Sequence, residues 1–337
     1  MTSTTTNGAR YDVTGIGNAI VDIIGRCDDG YLGTIGAAKG SMRLVDADEI
    51  ARIYAGMGPA VEISGGSAAN TLAGIASLGG KAGFIGKVAD DEFGRIFSHD
   101  IRSIGVNFTA APVKGSMPTS RSLILVTPDG ERTMNTFLGI STDLDDRQLD
   151  TGLIRDSAIL YLEGYLFDRP DAKRAFQAAV AEAKKSGRKV ALTLSDGFCV
   201  DRHRAEFLGL IRSGVDIVFA NESEIKSLYE TPNYDDAASR AKNDIKLAVL
   251  TRSAKGSHIF THGEDISIAA DPVAKVVDTT GAGDLYAAGF LFGISKGLSL
   301  ETSGRLASMA AAEVISHIGA RPAVPLDTLA RQKGLIS

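Results

Sequence analysis

The sequence predicts an α/β protein, a three-layer arrangement with a mostly parallel central sheet and a small β-sheet lid. Three observations predict it. From Ser157 onward, short apolar runs alternate with amphipathic helical segments, as in parallel sheets with crossover helices. Polar side chains recur where those runs end, and in such sheets the strand C-terminal ends converge on one crevice. Between Thr119 and Leu138, two strand-like runs flank Pro128-Asp129-Gly130 with no helix between them, so this hairpin stands outside the alternating pattern.

A chain of 337 residues suits one large α/β domain over 11–337, with lid segments inserted at about 32–45 and 112–140. Hydrophobic content of 44% and mean hydropathy of +0.05 supply an ample core. Net charge −5, pI near 5.6 and the lack of any basic run argue against a nucleic-acid surface. Cys27 and Cys199 form no metal or redox spacing, which fits a reducing compartment. Residues 1–10 are Thr-rich without an apolar core, and read as a disordered tail rather than a signal peptide. The longest uncharged stretch, Ile63 to Gly80, is rich in Gly, Ser and Ala, a loop and packed helix rather than a membrane span. A cytoplasmic chain with no nucleic-acid or membrane partner is expected.

Tyr11 to Ile16 reads as the first strand, ending in Gly15-Ile16-Gly17-Asn18. The third position of a dinucleotide fingerprint is Ile20, and Val21 to Ile24 continues as strand where that motif needs a helix. Asn18 and Asp22 flank a strand end, as turn polar groups or as a hydroxyl-binding pair. Leu32 to Val45 is Gly-rich and ends in a short strand-like run, and Asp46 to Tyr54 has capping chemistry and helical spacing. Ile63 to Asn70 is a glycine turn before a small-residue helix stopped by Gly79-Gly80. It is either a tight turn before a closely packed helix, or a place where the N–H groups of Gly65 and Gly66 and the Asn70 amide face a substrate.

Ala82 to Val88 is a strand, and Asp90-Asp91-Glu92 opens a helix whose N-terminus suits acidic residues, with no metal assigned. Strands follow at Ala158–Leu162, Lys189–Leu194, Asp216–Ala220, Leu247–Thr251 and, shorter, at 258–260 and 266–268. Helices are expected at 169–186, 201–211 and 305–317. Asn221 and Glu224 have capping-box spacing. Alternatively, Glu224 reaches a magnesium shell through water. No H-E-x-x-H, no G-x-S-x-G and no Gly-Lys followed by Ser or Thr occurs.

The organising stretch is Asp278-Thr279-Thr280-Gly281-Ala282-Gly283-Asp284, between a strand-like run (Val273 to Val277) and a helix (Leu285 to Ile294). Strand, glycine turn and helix aim free N–H groups and a positive helix end at an anion. Asp284 is then either a favourable first-turn charge or a base for an attacking hydroxyl.

Two glycine motifs two hundred residues apart carry a resemblance. The chain resembles the ribokinase-like carbohydrate and nucleoside kinases of the phosphofructokinase-B type over about residues 11 to 325. Asp278 to Asp284 looks like that family's C-terminal signature. Gly65 to Asn70, with Gly79 and Phe84-Ile85-Gly86, looks like its N-terminal one, and Asn221-x-x-Glu224 matches a third motif. The resemblance implies a ribokinase-like fold and transfer of the γ-phosphate of ATP to a primary hydroxyl. Asp284 would be the general base, and the N–H groups of Gly281, Ala282 and Gly283 the anion hole. Asn221 and Glu224 would organise Mg²⁺, and Thr251, Ser253 and Gly256 would lie near the ATP ribose and adenine. Asp278 would support a loop for a monovalent cation such as K⁺, with carbonyls near Thr280 and Ser316 to Arg321.

Gly17-Asn18-Ala19-Ile20-Val21-Asp22 is most similar to the opening motif of adenosine kinases. That implies an adenosine 5′-hydroxyl as acceptor, giving AMP. Asp22 would hold the ribose hydroxyls with Asn18, Gly65, Gly66 and Asn70. Arg132 would reach the transferring phosphate, and Ile20, Met134, Leu138 and Tyr165 would wall the base. A sugar kinase of the same fold (ribose, fructose or a related sugar) is the alternative, and a non-catalytic nucleotide- or sugar-binding regulator the third reading. Monomer and homodimer both fit.

Overall fold

The computed structural model describes residues 8–115 and 117–337. The strands are β1 Tyr11–Ile16, β2 Ile20–Arg26, β3 Met42–Leu44, β4 Ala60–Gly65, β5 Ala82–Ile85, β6 Val106–Asn107, β7 Ser120–Val126, β8 Arg132–Phe137, β9 Ser157–Glu163, β10 Lys189–Thr193, β11 Ile217–Asn221, β12 Leu247–Thr251, β13 Ser257–Thr261 and β14 Asp265–Ile268. The larger sheet has the order β14-β13-β12-β11-β10-β9-β1-β5-β6. From β6 through β12 all neighbours are parallel, and β13 and β14 close that edge as an antiparallel hairpin. A second, five-stranded sheet has the order β3-β8-β7-β2-β4.

Alternation along the parallel strands divides the core into two layers. On β9, Ile159 and Tyr161 point into one apolar cluster, and Leu160 and Leu162 into the other. The first layer is built with helices Ser67–Ser77, Ala282–Ser295 and Leu300–Val314. The second is built with helices Pro170–Lys185 and Gly197–Gly214. Small residues bring the first three helices unusually close. A Cβ at Gly74 would stand 2.6 Å from the Cβ of Ala288, and one at Gly289 would stand 2.6 Å from the Leu306 carbonyl oxygen. That packing sets the Asp284 end of one helix against the Asn70 end of another.

The three-layer α/β class and the separate small sheet are as the sequence predicts, and several details differ. Val273 to Val277 is no strand: Val276 and Val277 are exposed, and no neighbouring strand offers them a ladder. The small sheet recruits β2 and β4 as well as the hairpin and β3. The first three residues of the stretch read as a glycine turn, Ile63 to Gly65, belong to strand β4, which pairs antiparallel with β2. The helix expected at 305–317 begins earlier, at Leu300, where Ser299 caps it. Short or strongly polar helices at Asp29–Thr34, Thr151–Arg155, Tyr234–Asp244 and Leu326–Gln332 gave too weak a periodic signal to be expected. The tail expected over 1–10 falls mostly outside the described residues, and its last member, Arg10, is tied down by its N–H donating to the Asp156 carbonyl (2.7 Å).

Candidate active site

The organising turn lies at the N-terminus of helix Ala282–Ser295. Gly281 caps that helix with φ +79°, and a Cβ there would come within 2.8 Å of Ala320, so both conformation and space demand glycine. The N–H groups of Gly281 and Gly283 have no protein acceptor among the described residues, and the space over Gly283 is open. Unpaired N–H groups at a helix start make a partial positive site. Ala282 departs from the three-donor expectation: its N–H donates to the Thr279 carbonyl (3.2 Å), which closes the turn.

Asp284 projects from the first turn of this helix toward the other glycine motif. Its Oδ1 accepts the Ser67 hydroxyl (2.6 Å) and its Oδ2 accepts the Asn70 amide (3.1 Å). Burial raises its pKa, and the bonds from Ser67 and Asn70 and the charge of Arg321 oppose that rise. A carboxylate with raised proton affinity, held by two donors, suits proton abstraction.

Asp22 stands on β2 opposite Ile63. A Cβ on Gly65 would lie 2.3 Å from its carboxylate, so glycine there makes the room that Asp22 occupies. Gly66 has φ +98°, and a Cβ there would stand 2.2 Å from the Asn18 carbonyl oxygen. Burial pushes the pKa of Asp22 up to about 6, against the charges of Arg321 and Arg132 and with that of Asp284. Among the described residues no donor bonds to Asp22.

Asn18 faces away from this opening. Its side-chain amide donates to Glu163 Oε1 (2.7 Å), and its Oδ1 accepts the Ser141 hydroxyl (2.9 Å). Both polar ends of its side chain are therefore engaged within the protein. Glu163, absent from the expected set, is 1% exposed at the end of β9 and also accepts the Ala68 N–H (2.9 Å). Burial pushes its pKa up to about 7, opposed by the donors from Ala68 and Asn18. Glu163 ends β9, so the rule that polar side chains at strand C-terminal ends face one crevice applies to it as well.

Arg132 of the small sheet and Asp278 of the glycine turn form a buried ion pair, with side chains 8% and 4% exposed. Asp278 Oδ2 also accepts the Gly319 N–H (2.9 Å), and Oδ1 accepts the Thr280 N–H (3.0 Å). This arrangement leaves the Asp278 carboxylate already neutralised by a guanidinium, so a monovalent cation does not fit at it while Arg132 is present. Arg132 keeps Nε and Nη2 buried without acceptors, two orphaned donors that fit an anion.

The register places three residue rows on the Arg132 face of the small sheet. Gly65, Ile20 and Ser120 lie in the first, and Ile63, Asp22, Ser122, Thr136 and Leu44 in the second. Val61, Ile24, Ile124, Met134 and Met42 form a wholly apolar third row, with Met42 53% and Val61 62% exposed at its ends. Met134 and Ile20 thus lie on the same face of the small sheet as Asp22. Leu138 follows β8, and its carbonyl accepts the Ser141 hydroxyl (2.7 Å). Tyr165, 39% exposed just past β9, has its pKa raised, first by desolvation of its hydroxyl and then by the charges of Asp196, Asp284, Glu163 and Glu224.

Asn221 and Glu224 make the full capping box. Glu224 Oε2 accepts the Asn221 N–H (2.9 Å), and Asn221 Oδ1 accepts the Glu224 N–H (2.9 Å). The Asn221 amide also donates to Glu224 Oε1 (2.6 Å). With both oxygens engaged and burial raising its pKa to about 7, Glu224 fits magnesium only through water. No cluster of three His, Cys, Asp or Glu able to hold a metal occurs among the described residues. Thr251 ends β12, and Ser253 (φ +52°) and Gly256 (φ +81°) form the bend into β13, at the same edge of the larger sheet as Asn221. No helix among the described residues is long and apolar enough to cross a membrane.

The model of the pfkB family of carbohydrate kinases matches residues 58–327. The chain is 54% identical to the adenosine kinase from Sinorhizobium meliloti, with a TM-score of 0.89 covering 96% of this chain and 100% of that one. It is 49% identical to a probable sugar kinase from Rhizobium etli CFN 42, with a TM-score of 0.90 covering 97% and 100%. It is 31% identical over 278 residues to the probable fructokinase-6, chloroplastic, of Arabidopsis thaliana, covering 77% of this chain and 72% of that protein. With its glycine turn, its paired acidic side chains and this coverage, the chain belongs to the pfkB family of carbohydrate kinases and has the ribokinase-like fold.

Proposed function

We propose that this protein transfers the γ-phosphate of ATP to the 5′-hydroxyl of a ribonucleoside, with adenosine as the acceptor. The observation that carries the reading is the placement of Asp22, a carboxylate without a hydrogen-bond donor, on the same sheet face as the apolar row Ile24, Ile124 and Met134. Adjacent ribose hydroxyls suit such a carboxylate, and a planar base suits the apolar row; a free sugar would leave that row wet. Similarity to the Sinorhizobium meliloti adenosine kinase supports the same acceptor.

In this reading Asp22 and the Gly65-Gly66 backbone hold the ribose. Ser67 and Asn70 hold Asp284 toward the 5′-oxygen. Asp284 takes that oxygen's proton as the oxygen's electron pair forms the new bond to phosphorus, and ADP leaves. The free N–H groups of Gly281 and Gly283 and the orphaned donors of Arg132 face the charge that builds on the transferring group. ATP, when bound, supplies that group and lies toward Thr251, Ser253 and Gly256. Mg²⁺ would be held by phosphate oxygens and by waters ordered by Glu224. The small sheet acts as a lid, carrying Asp22 and Arg132 to the turn.

Similarity to the probable fructokinase favours a second reading, a sugar acceptor. Incubation with ATP, Mg²⁺ and adenosine, other nucleosides, ribose or fructose, following ADP release, tests both. The nucleoside reading expects the largest kcat/KM for adenosine. A sugar turned over faster than every nucleoside overturns it, and no turnover of any acceptor overturns the kinase reading.

A further inference from the structure

A cation held against the Gly65-Gly66 turn comes from a segment outside the glycine motifs. Arg321 lies in the turn after helix Leu300–Val314. Its Nε donates to the Ser64 carbonyl (3.1 Å), its Nη1 to the Ala69 carbonyl (3.1 Å) and its Nη2 to the Ser64 hydroxyl (2.9 Å). Those acceptors bracket the Gly65-Gly66 turn. Ser64 is itself fixed from the other side: its N–H and hydroxyl donate to Asp100 Oδ2 at 2.7 Å and 2.6 Å. Four hydrogen bonds, the three from Arg321 and a second from its Nη2 to the Ser64 carbonyl, thus lock the guanidinium beside the glycine turn, with a planar fork that a lysine ammonium does not reproduce.

The groups facing this guanidinium are Asp100, Asp22 and Asp284, all acidic. The charged groups facing Asp22 are Arg321, Arg132 and Asp284. Asp284 is faced by Arg321, accepts bonds from Ser67 and Asn70, and is in turn felt by Tyr161, Glu163, Tyr165 and Glu224. The charge of Arg321 therefore acts on Asp284 as well as on Asp22. The other cation near Asp22, Arg132, belongs to the small sheet and is shared with Asp278.

We propose that Arg321 is a positioning residue of the transfer site: a charge fixed to the body of the protein that keeps Asp22 and Asp284 ionised side by side and holds the Gly65-Gly66 turn at the spacing the acceptor needs. This rests on the kinase reading for its purpose, but the charge relationship stands apart from turnover. Two carboxylates sharing one buried site raise each other's proton affinity, and a fixed cation between them counters that. Arg132, aimed at an anion by its orphaned donors, is not free to supply the same charge throughout a cycle.

The test compares wild type with Arg321→Met and Arg321→Lys, with Asp100→Asn as a variant that loosens the clamp through Ser64. Carboxyl ¹³C titration of Asp-labelled protein, assigned with Asp22→Asn and Asp284→Asn, reads the charge relationship without any assay of activity. Arg321→Met is expected to move both titrations up by about one pH unit. Arg321→Lys is expected to restore them in large part, and Asp100→Asn to move them by less than Arg321→Met. With the acceptor that wild type turns over, Arg321→Met is expected to raise the acceptor KM about tenfold and lower kcat, leaving the ATP KM within about threefold. Unchanged titrations in Arg321→Met, or in both Arg321→Lys and Asp100→Asn if Arg321→Met fails to fold, overturn the proposal. So does an equal loss in the acceptor and ATP constants. Wild type inactive on every acceptor, with the titrations shifted as expected, overturns the kinase reading and leaves the charge relationship standing.

Discussion

Arg132 of the small sheet and Asp278 of the glycine turn are ion-paired across the crevice, 146 residues apart in sequence. The pair joins the strand that carries the orphaned donors to the turn that carries Asp284. Breaking a buried pair on one side leaves an uncompensated charge, whereas replacing both partners does not. Asp278→Ala is expected to destabilise the protein by about 3–5 kcal/mol in urea unfolding. Arg132→Met with Asp278→Leu is expected to recover most of that loss while remaining poorly active. A double variant as unstable as Asp278→Ala alone counts against the pair as the cause.

Asp284→Asn preserves shape and the Ser67 contact but removes the base. It is expected to keep its thermal midpoint and ATP binding while kcat falls by roughly 10²–10⁴. A kcat within a few-fold of wild type would show that the hydroxyl proton leaves by another route.

Asp22→Ala removes the acceptor's charged partner and opens the space against Gly65. The acceptor KM is expected to rise about tenfold to a hundredfold, with the ATP KM nearly constant. Equal effects on both constants would place Asp22 in the framework of the lid rather than at the acceptor.

Glu163 gives a pH dependence of stability. It ionises near 4.5 in the unfolded chain and near 7 in the folded one. Between those values the folded state keeps a proton that the unfolded state has lost, so stability is full below about pH 4.5, falls as pH rises to about 7 and is level above. Glu163→Gln is expected to reduce that fall by up to about 3 kcal/mol in urea unfolding from pH 5 to 8. Asp22 and Glu224, whose pKa values are also raised, keep part of the slope. A slope unchanged by Glu163→Gln would mean that Glu163 stays charged throughout.

The sequence by itself determined the layered sheet and, through the family its motifs resemble, the class of reaction. Turn and cap chemistry is local: Gly281 must be glycine to start its helix, Asn221 and Glu224 close a box three residues apart, and alternating apolar runs make two-sided strands. Those interactions are written within a few residues of one another. The tertiary structure decided how the charges are shared. Arg132 meets Asp278, Asn18 meets Glu163 across 145 residues, and Arg321 reaches Ser64 across 257. No periodicity records which distant charge will neutralise a buried carboxylate. That choice is made by burial, where an unpaired charge is costly and the nearest opposite charge or donor in space satisfies it. The strand expected at Val273 to Val277 failed for a related reason, since a strand needs a neighbour and the fold provides none there.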